Sequence, residues 1–174
     1  MVIAAGASSY ECNMLHFWLY VSAANVPPRS VDDALIYLQA RNRNAARGIS
    51  GYLHREDGYY VQYAEGPPAE LDQLKDLIRR DWRHENIRVL ADGSIMTRKF
   101  FAWDMTFTDA ETSSFRAFQT LSGGETDIGR ASSEEILTFM ERTALSGRAR
   151  SVSQLAGHSG VSSLIFAPDG HSGV

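Results

Sequence analysis

Gly48-Ile49-Ser50-Gly51-Tyr52-Leu53-His54-Arg55-Glu56-Asp57-Gly58-Tyr59-Tyr60-Val61-Gln62-Tyr63-Ala64-Glu65-Gly66 sets the architecture of this 174-residue chain. Two runs rich in aromatic and β-branched residues, Ile49 to His54 and Tyr59 to Glu65, flank Asp57-Gly58. Glycine accepts positive φ, so an Asp-Gly dipeptide between such runs predicts a β-hairpin turning at Arg55-Glu56-Asp57-Gly58. Gly48 stops a helix ahead of the hairpin. Gly66-Pro67-Pro68 opens another behind it, because proline is tolerated in a helix's first turn.

Upstream, Ser30 stands three residues before Asp33, a capping-box-like start, and Leu35 and Leu38 carry a helical stripe to about Ala46. Met14 to Ala23, bounded by Asn13 and Asn25-Val26-Pro27-Pro28, is aromatic and aliphatic and reads as a buried strand. Downstream, Leu71, Leu74, Leu77 and Ile78 recur at helical spacing until Asp81-Trp82-Arg83-His84. Ile87 to Ala91 predicts a fourth strand and, past Asp92-Gly93, Phe100 to Phe107 a fifth. The order is that of an α+β, ferredoxin-like βαββαββ sheet with two helices on one face. The first strand is apolar on both alternating sets, Leu15, Phe17, Leu19 and Val21 against Trp18 and Tyr20, so the other face needs cover too.

The cover is expected from C-terminal helices. Ser132 with Glu135, then Ile136, Leu137, Met140, Ala144 and Leu145, predicts a helix over 132–146. Phe115, Phe118 and Leu121 predict a shorter one over 110–121, with Ser122-Gly123-Gly124 as linker. The expected organisation is an N-terminal extension at 1–13, a domain at 14–109, a helical cap at 110–147 and a flexible tail at 148–174. The tail repeats Gly-His-Ser-Gly-Val at 157–161 and 170–174.

A net charge of -4 argues against nucleic acid as the main partner, since phosphate binding needs a basic surface. The single cysteine, Cys12, excludes an internal disulfide framework and points to a reducing cytoplasm. No apolar stretch approaches the roughly 18 residues of a membrane span. The five histidines show no i,i+4 pair and no cysteine partner, so no metal site is expected. No Gly-x-Ser-x-Gly elbow and no phosphate-cradling glycine loop occurs. Asp32, Asp33, Glu65 and Glu70 read as solvated charges at helix starts.

Tyr20, Asn44, Gln62 and the Trp103-Asp104-Met105 triplet put hydrogen-bonding or redox-capable groups where the pattern predicts interior positions. Buried polar groups need partners, and water is not one there. A phenol, two carboxamides and an indole make a poor hydrolytic site and a good cradle for a flat heterocycle with carbonyl and ring-nitrogen acceptors. Singly, each has a plain reading: Tyr20 a packing residue, Asn44 a helix terminus, Gln62 an exposed strand residue, Trp103 and Met105 core.

Jointly they carry a resemblance. Leu19-Tyr20-Val21-Ser22, the Asn44-to-Gly51 segment, Val61-Gln62-Tyr63-Ala64-Glu65-Gly66, Asp81-Trp82-Arg83-His84 and Trp103-Asp104-Met105 stand in register from about Leu15 to Phe107. In this the chain resembles the BLUF domains, flavin-binding sensors of blue light. The resemblance implies a flavin, FAD or alternatively FMN, inserted between the first two helices. Asn44 would bond the ring's carbonyl and imide edge with Arg43 beside it, and Asp81, Arg83 and His84 would form the corner flanking ring or ribityl chain. Tyr20 and Gln62 would meet at the redox-active edge. In such domains light moves an electron, then a proton, from the tyrosine, and the glutamine turns or tautomerises. Trp103 and Met105, two apart on the last strand, would relay the change to the C-terminal helices.

The expected function is therefore a non-enzymatic photoreceptor acting on an effector protein. The apolar C-terminal helices hint at a homodimer or larger homo-oligomer. Two other readings predict different residues. An acylphosphatase-like hydrolase on the same plan needs an arginine-bearing glycine loop after the first strand, where Ser22-Ala23-Ala24-Asn25-Val26-Pro27-Pro28 stands. A plain interaction module would bind no flavin.

Overall fold

A computed structural model of the chain describes residues 14–100 and 105–146. Its order is β1 (Leu15–Ala24), α1 (Val31–Ala46), β2 (Ser50–Glu56), β3 (Tyr59–Gly66), α2 (Pro68–Arg80), β4 (His84–Ile95), β5 (Met105–Asp109), α3 (Phe115–Ser122) and α4 (Ser133–Leu145). The five strands form one sheet in the order β4-β1-β3-β2-β5. All neighbours are antiparallel except β2 and β5, which run parallel with Gly51 opposite Met105 and His54 opposite Thr108. This is the ferredoxin-like α+β plan with a fifth strand at one edge. The predicted N-terminal extension, the tail and Trp103 lie outside the described residues.

The hairpin turns tightly. Asp57 and Gly58 both take positive φ (48° and 83°), the mirror-image turn that matches strand twist. Arg55 and Glu56, expected in the turn, belong to β2. Strand β4 is much longer than the predicted 87–91. Asp92-Gly93 does not turn: Asp92 faces Trp18 and Gly93 faces Phe17 in the β1 register. A Cβ at Gly93 would lie 3.2 Å from the Phe17 ring, so this glycine makes room for an aromatic neighbour. Strand β5 is described from Met105, residues 101–104 lying outside the described residues, and Phe100 is not in a strand: its side chain packs on Tyr52 and Tyr63. Helix α3 begins at Phe115 because Asp109 and Thr112 first close a turn on each other (2.9 and 3.0 Å) and Ser114 caps the helix. The Ser132–Glu135 capping box starts α4.

Alternation along the strands gives the sheet two apolar faces. Leu19, Val21, Tyr52, Val61 and Tyr63 pack with Phe115 of α3 and Ile136, Phe139 and Met140 of α4. Ile136, Phe139 and Met140 of α4 are thus spent on its own sheet, whereas Leu145 of the same stripe stays 88% exposed. The opposite face carries two separate clusters. One lies under α1, with Ile36, Tyr37, Leu53, Tyr60, Met105 and Phe107; the other lies under α2, with Trp18, Tyr20, Ala64, Leu71, Leu74 and Ile78. Between them the core is split, and the split is a cleft.

Candidate functional site

The cleft between α1 and α2 has an empty volume of about 650 Å³, including its open mouth. Leu53 and Gln62 line it from the sheet, Ile36, Arg43 and Asn44 from α1, Leu74 and Ile78 from α2, and Asp81, Arg83 and His84 from the corner after α2. The β1–β3 register places Tyr20 directly opposite Gln62. Tyr20 Oη donates to Gln62 Oε1 at 2.8 Å, and Gln62 Nε2 donates to Met105 Sδ at 3.6 Å. Three strands thus share one buried polar chain.

Burial pushes the Tyr20 phenol far above its usual range near 10, with the nearby Asp81 and Tyr60 adding to it. The ring is a neutral phenol. Trp18, one pleat away on the same face, stacks on it with centroids 4.1 Å apart. Asn44, in the last turn of α1, is 1% exposed, and its Nδ2 has no hydrogen-bond partner. A buried amide donor without an acceptor costs about 1–3 kcal/mol. At the wall of a cleft, such a donor is what a ligand carbonyl would satisfy.

The corner does something the sequence reading did not anticipate. Arg83, which lines the cleft, is also tied to its neighbours. Its guanidinium holds Asp81 (Nε–Oδ1 2.8 Å) and crosses to α1, donating to Gln39 Oε1 at 2.8 Å and to the Asp32 carbonyl at 3.3 Å. It is a clasp between the helices. Burial raises the Asp81 carboxyl, but the Arg83 hydrogen bonds outweigh that and hold it below its usual value. His84 Nδ1 meets Ser22 Oγ at 2.9 Å. Burial drives its pKa down to about 4; Asp81 opposes this and Arg83 reinforces it. His84 is therefore a neutral imidazole at pH 7. A folded pKa below the ordinary 6.5 means that the unfolded chain takes the proton first. Stability should be flat above about pH 6.5 and decline as pH falls toward 4; His84→Asn should flatten that window in urea midpoints measured against pH.

Two expectations about charge are overturned. Asp33 and Glu65 are not solvated: they are 3% and 0% exposed. Ser30 Oγ does accept from the Asp33 N–H at 3.2 Å, but the Asp33 carboxylate turns into the sheet and does not close a capping box. Glu65 accepts the backbone N–H groups of Lys99 and Phe100 (2.8 Å each) and pins the connection leading to β5. The hydrolase alternative fares no better, since Asn25 Nδ2 donates to the Trp82 carbonyl at 3.2 Å and Arg29 pairs with Glu111. Among the described residues no cluster of His, Cys, Asp or Glu is placed to hold a metal ion.

The fold and the cleft define a ferredoxin-like domain with a ligand slot between its two sheet-face helices. The family described as sensors of blue light using FAD, BLUF, matches residues 15–106, and the chain belongs to it. The photoactivated adenylate cyclase subunit beta of Euglena gracilis is 32% identical over 105 residues, which are 59% of this chain and 12% of that protein. The chain thus spans about an eighth of that relative's length. Among solved structures, BlrB, a BLUF protein in its dark state, superposes with a TM-score of 0.63 at 27% identity, covering 78% of this chain and 98% of that one. BlsA in its ground state gives 0.64 at 25% identity, over 74% and 86%.

Proposed function

We propose that this chain binds FAD, with FMN as the alternative, between α1 and α2, and signals blue light by rearranging the hydrogen bonds of Gln62. The reading rests on one observation above all: the Tyr20–Gln62–Met105 chain lies buried beside a cleft whose wall carries the unpartnered Asn44 amide. The bound flavin would supply a light-absorbing electron acceptor with carbonyl and ring-nitrogen acceptors along one edge. Asn44 Nδ2 would hold a carbonyl of that edge. Arg43 would lie beside it, and His84 would face the ring or ribityl chain as a neutral donor or acceptor. Asp81 and Arg83 would act through their clasp by keeping the helices at the spacing the ring needs.

Tyr20 is the electron and proton source, and Gln62 is the switch. A carboxamide is nearly symmetric in shape but has a donor end and an acceptor end. Turning it over keeps the packing and exchanges the two. At present its N–H₂ faces Met105 Sδ, which can only accept. Reversed, the amide oxygen would face a sulfur that cannot donate, so Met105 must give way. Met105 begins β5, and Thr108, on the strand's other face, touches the residues that hold α3. The signal would reach α3, α4 and an effector protein, or a second copy of the chain, by this route, without any reaction catalysed by the chain. Trp103 is proposed to share in the relay. Among the described residues no helix is long and apolar enough to cross a membrane, and with its single cysteine the chain fits the cytoplasm.

One measurement tests the reading. The purified chain should be yellow, and blue light should shift its absorption edge to the red, reverting in the dark. A colourless protein that takes up neither FAD nor FMN would overturn it. A companion prediction concerns Asn44. Asn44→Leu should weaken flavin binding about 5- to 30-fold, the equivalent of one or two hydrogen bonds. The same change should leave the flavin-free protein no less stable, because it removes a buried orphan donor.

A further inference from the structure

Asp33 lies in the first turn of α1, where carboxylates ordinarily face water, yet it is buried at the sheet. Its Oδ1 accepts from the Tyr60 phenol in a short hydrogen bond and from the Tyr37 phenol at 3.2 Å; Oδ2 accepts the Arg29 N–H at 2.8 Å. Arg55 Nε stands 3.5 Å from Oδ1, and its guanidinium lies over the Tyr60 ring, 4.8 Å from the centroid. Tyr60 is fully buried. Its ring centroid is 5.0 Å from that of His84, which lines the cleft and is 6.1 Å from Tyr20. Two phenols therefore flank one imidazole at the edge of the same cleft.

The two differ in where a proton can go. Removing an electron from a phenol makes it a strong acid, so the radical persists only if a base takes the proton. Tyr20 faces an amide oxygen, a very weak base. Tyr60 faces a carboxylate. Tyr63 also faces a carboxylate, Glu65 at 3.3 Å, but its ring packs on Phe17 and Phe100 on the opposite side of the sheet. Arg55 works the other way: a cation over the Tyr60 ring resists loss of an electron. Its Nη groups bond the carbonyls of Tyr59 and Val26 (3.4 Å each), which fixes that charge in place.

We propose that Tyr60 with Asp33 forms a second light-driven electron donor, competing with Tyr20 and held in check by Arg55. This rests on the flavin-sensor reading. In the step, one electron leaves the Tyr60 ring for the photoexcited flavin, and the phenolic proton crosses to Asp33 Oδ1. The O–H bond of Tyr60 breaks and an O–H bond on Asp33 forms. The electron and the proton then return by the same path. Gln62 takes no part, so light spent this way leaves no red-shifted state. The ratio of the two routes sets how many photons produce a signal.

The test uses the full flavin-loaded chain with two readouts. The first is electron paramagnetic resonance of frozen, illuminated samples. Tyr20→Phe should give no red shift but should retain a light-induced tyrosyl signal, and Tyr20→Phe with Tyr60→Phe should lose it. The second is the yield of red-shifted protein per photon absorbed. Tyr60→Phe and Asp33→Asn should each raise it by up to about twofold, the factor for two donors of equal barrier. Arg55→Gln should lower it. A wild-type chain with no red shift would sink the sensor reading itself. A wild-type chain that shifts, with no tyrosyl signal in Tyr20→Phe or with the signal surviving in the double variant, would overturn only the second donor.

Discussion

Gln62→Leu should abolish the light-induced red shift completely while leaving flavin bound, and Tyr20→Phe should do the same. Leucine fills nearly the volume of glutamine but neither donates nor accepts. In Gln62→Leu, the Tyr20 O–H loses its acceptor at 2.8 Å and Met105 Sδ loses its donor at 3.6 Å. The ring edge then has no neighbour whose hydrogen bonding can change, so its absorption has nothing to shift with. The orphaned phenol should also cost about 1–3 kcal/mol of stability. Tyr20→Phe is the gentler change. It keeps the ring stacked on Trp18 at 4.1 Å and removes only the hydroxyl, so folding and flavin retention should survive while the proton source disappears. A dark and a lit spectrum of each variant, with the bound flavin quantified after denaturation, checks both. A red shift of ordinary size in either would remove Gln62 and Tyr20 from the switch.

The meeting of Tyr20 with Gln62 was legible only through the family resemblance, and the β1–β3 register supplies its physical basis. The hairpin at Asp57-Gly58 only pairs β2 with β3; it is the ferredoxin-like strand order that lays β3 beside β1 and sets Tyr20 opposite Gln62. The helix-terminal position of Asn44 was legible directly, since Gly48 stops α1 and leaves Asn44 in its last turn. What could not be read is where charged side chains go when a tertiary partner competes with water. Asp33 looks like a helix-start charge in one dimension. Arg55 and Tyr60 become its partners only when β2, β3 and α1 close on one another. Arg83 likewise looks like no more than a ligand-facing cation until Gln39, 44 residues away, comes within 2.8 Å. The length of β4 is hidden by Gly93, which reads as a break in the sequence and in the fold makes room for Phe17. In each case the missing information is a long-range contact and not a local propensity.

Glu56→Gln should destabilise the protein by about 3 kcal/mol at neutral pH and should flatten its acid unfolding profile. Glu56 ends β2 on the face opposite the cleft and is 4% exposed. Its Oε1 accepts from Ser114 Oγ at 2.7 Å and the Arg116 N–H at 3.2 Å, and its Oε2 from the Phe115 N–H at 2.6 Å and His54 Nε2 at 2.9 Å. The carboxylate therefore caps α3 from outside the helix, where the helix dipole favours negative charge. Burial alone would raise its pKa, but the bonds from His54, Ser114 and Phe115 bring it down to about 2 from 4.5. His54 Nδ1 meets Thr108 Oγ1 at 2.8 Å, and Thr108 Oγ1 meets Tyr52 Oη at 2.9 Å. One hydrogen-bonded chain thus joins β5, at Thr108, three residues along from Met105, to the start of α3. A folded pKa below the unfolded one gives stability that is complete above about pH 4.5 and is lost as pH falls toward 2, roughly 3 kcal/mol in all. A glutamine there has no charge to titrate and turns an N–H₂ toward groups that are all donors. Urea unfolding of both proteins between pH 7 and about 2 reads the difference, and subtracting the variant's curve removes the contribution of every other carboxylate. If relay to the helices runs through this chain, Glu56→Gln should also leave the red shift of the flavin intact while uncoupling it from any light-induced change in α3. Hydrogen exchange of the α3 amides, dark and lit, separates the two. Equal stability of variant and wild type across the acid range would mean that α3 is held by its apolar face alone.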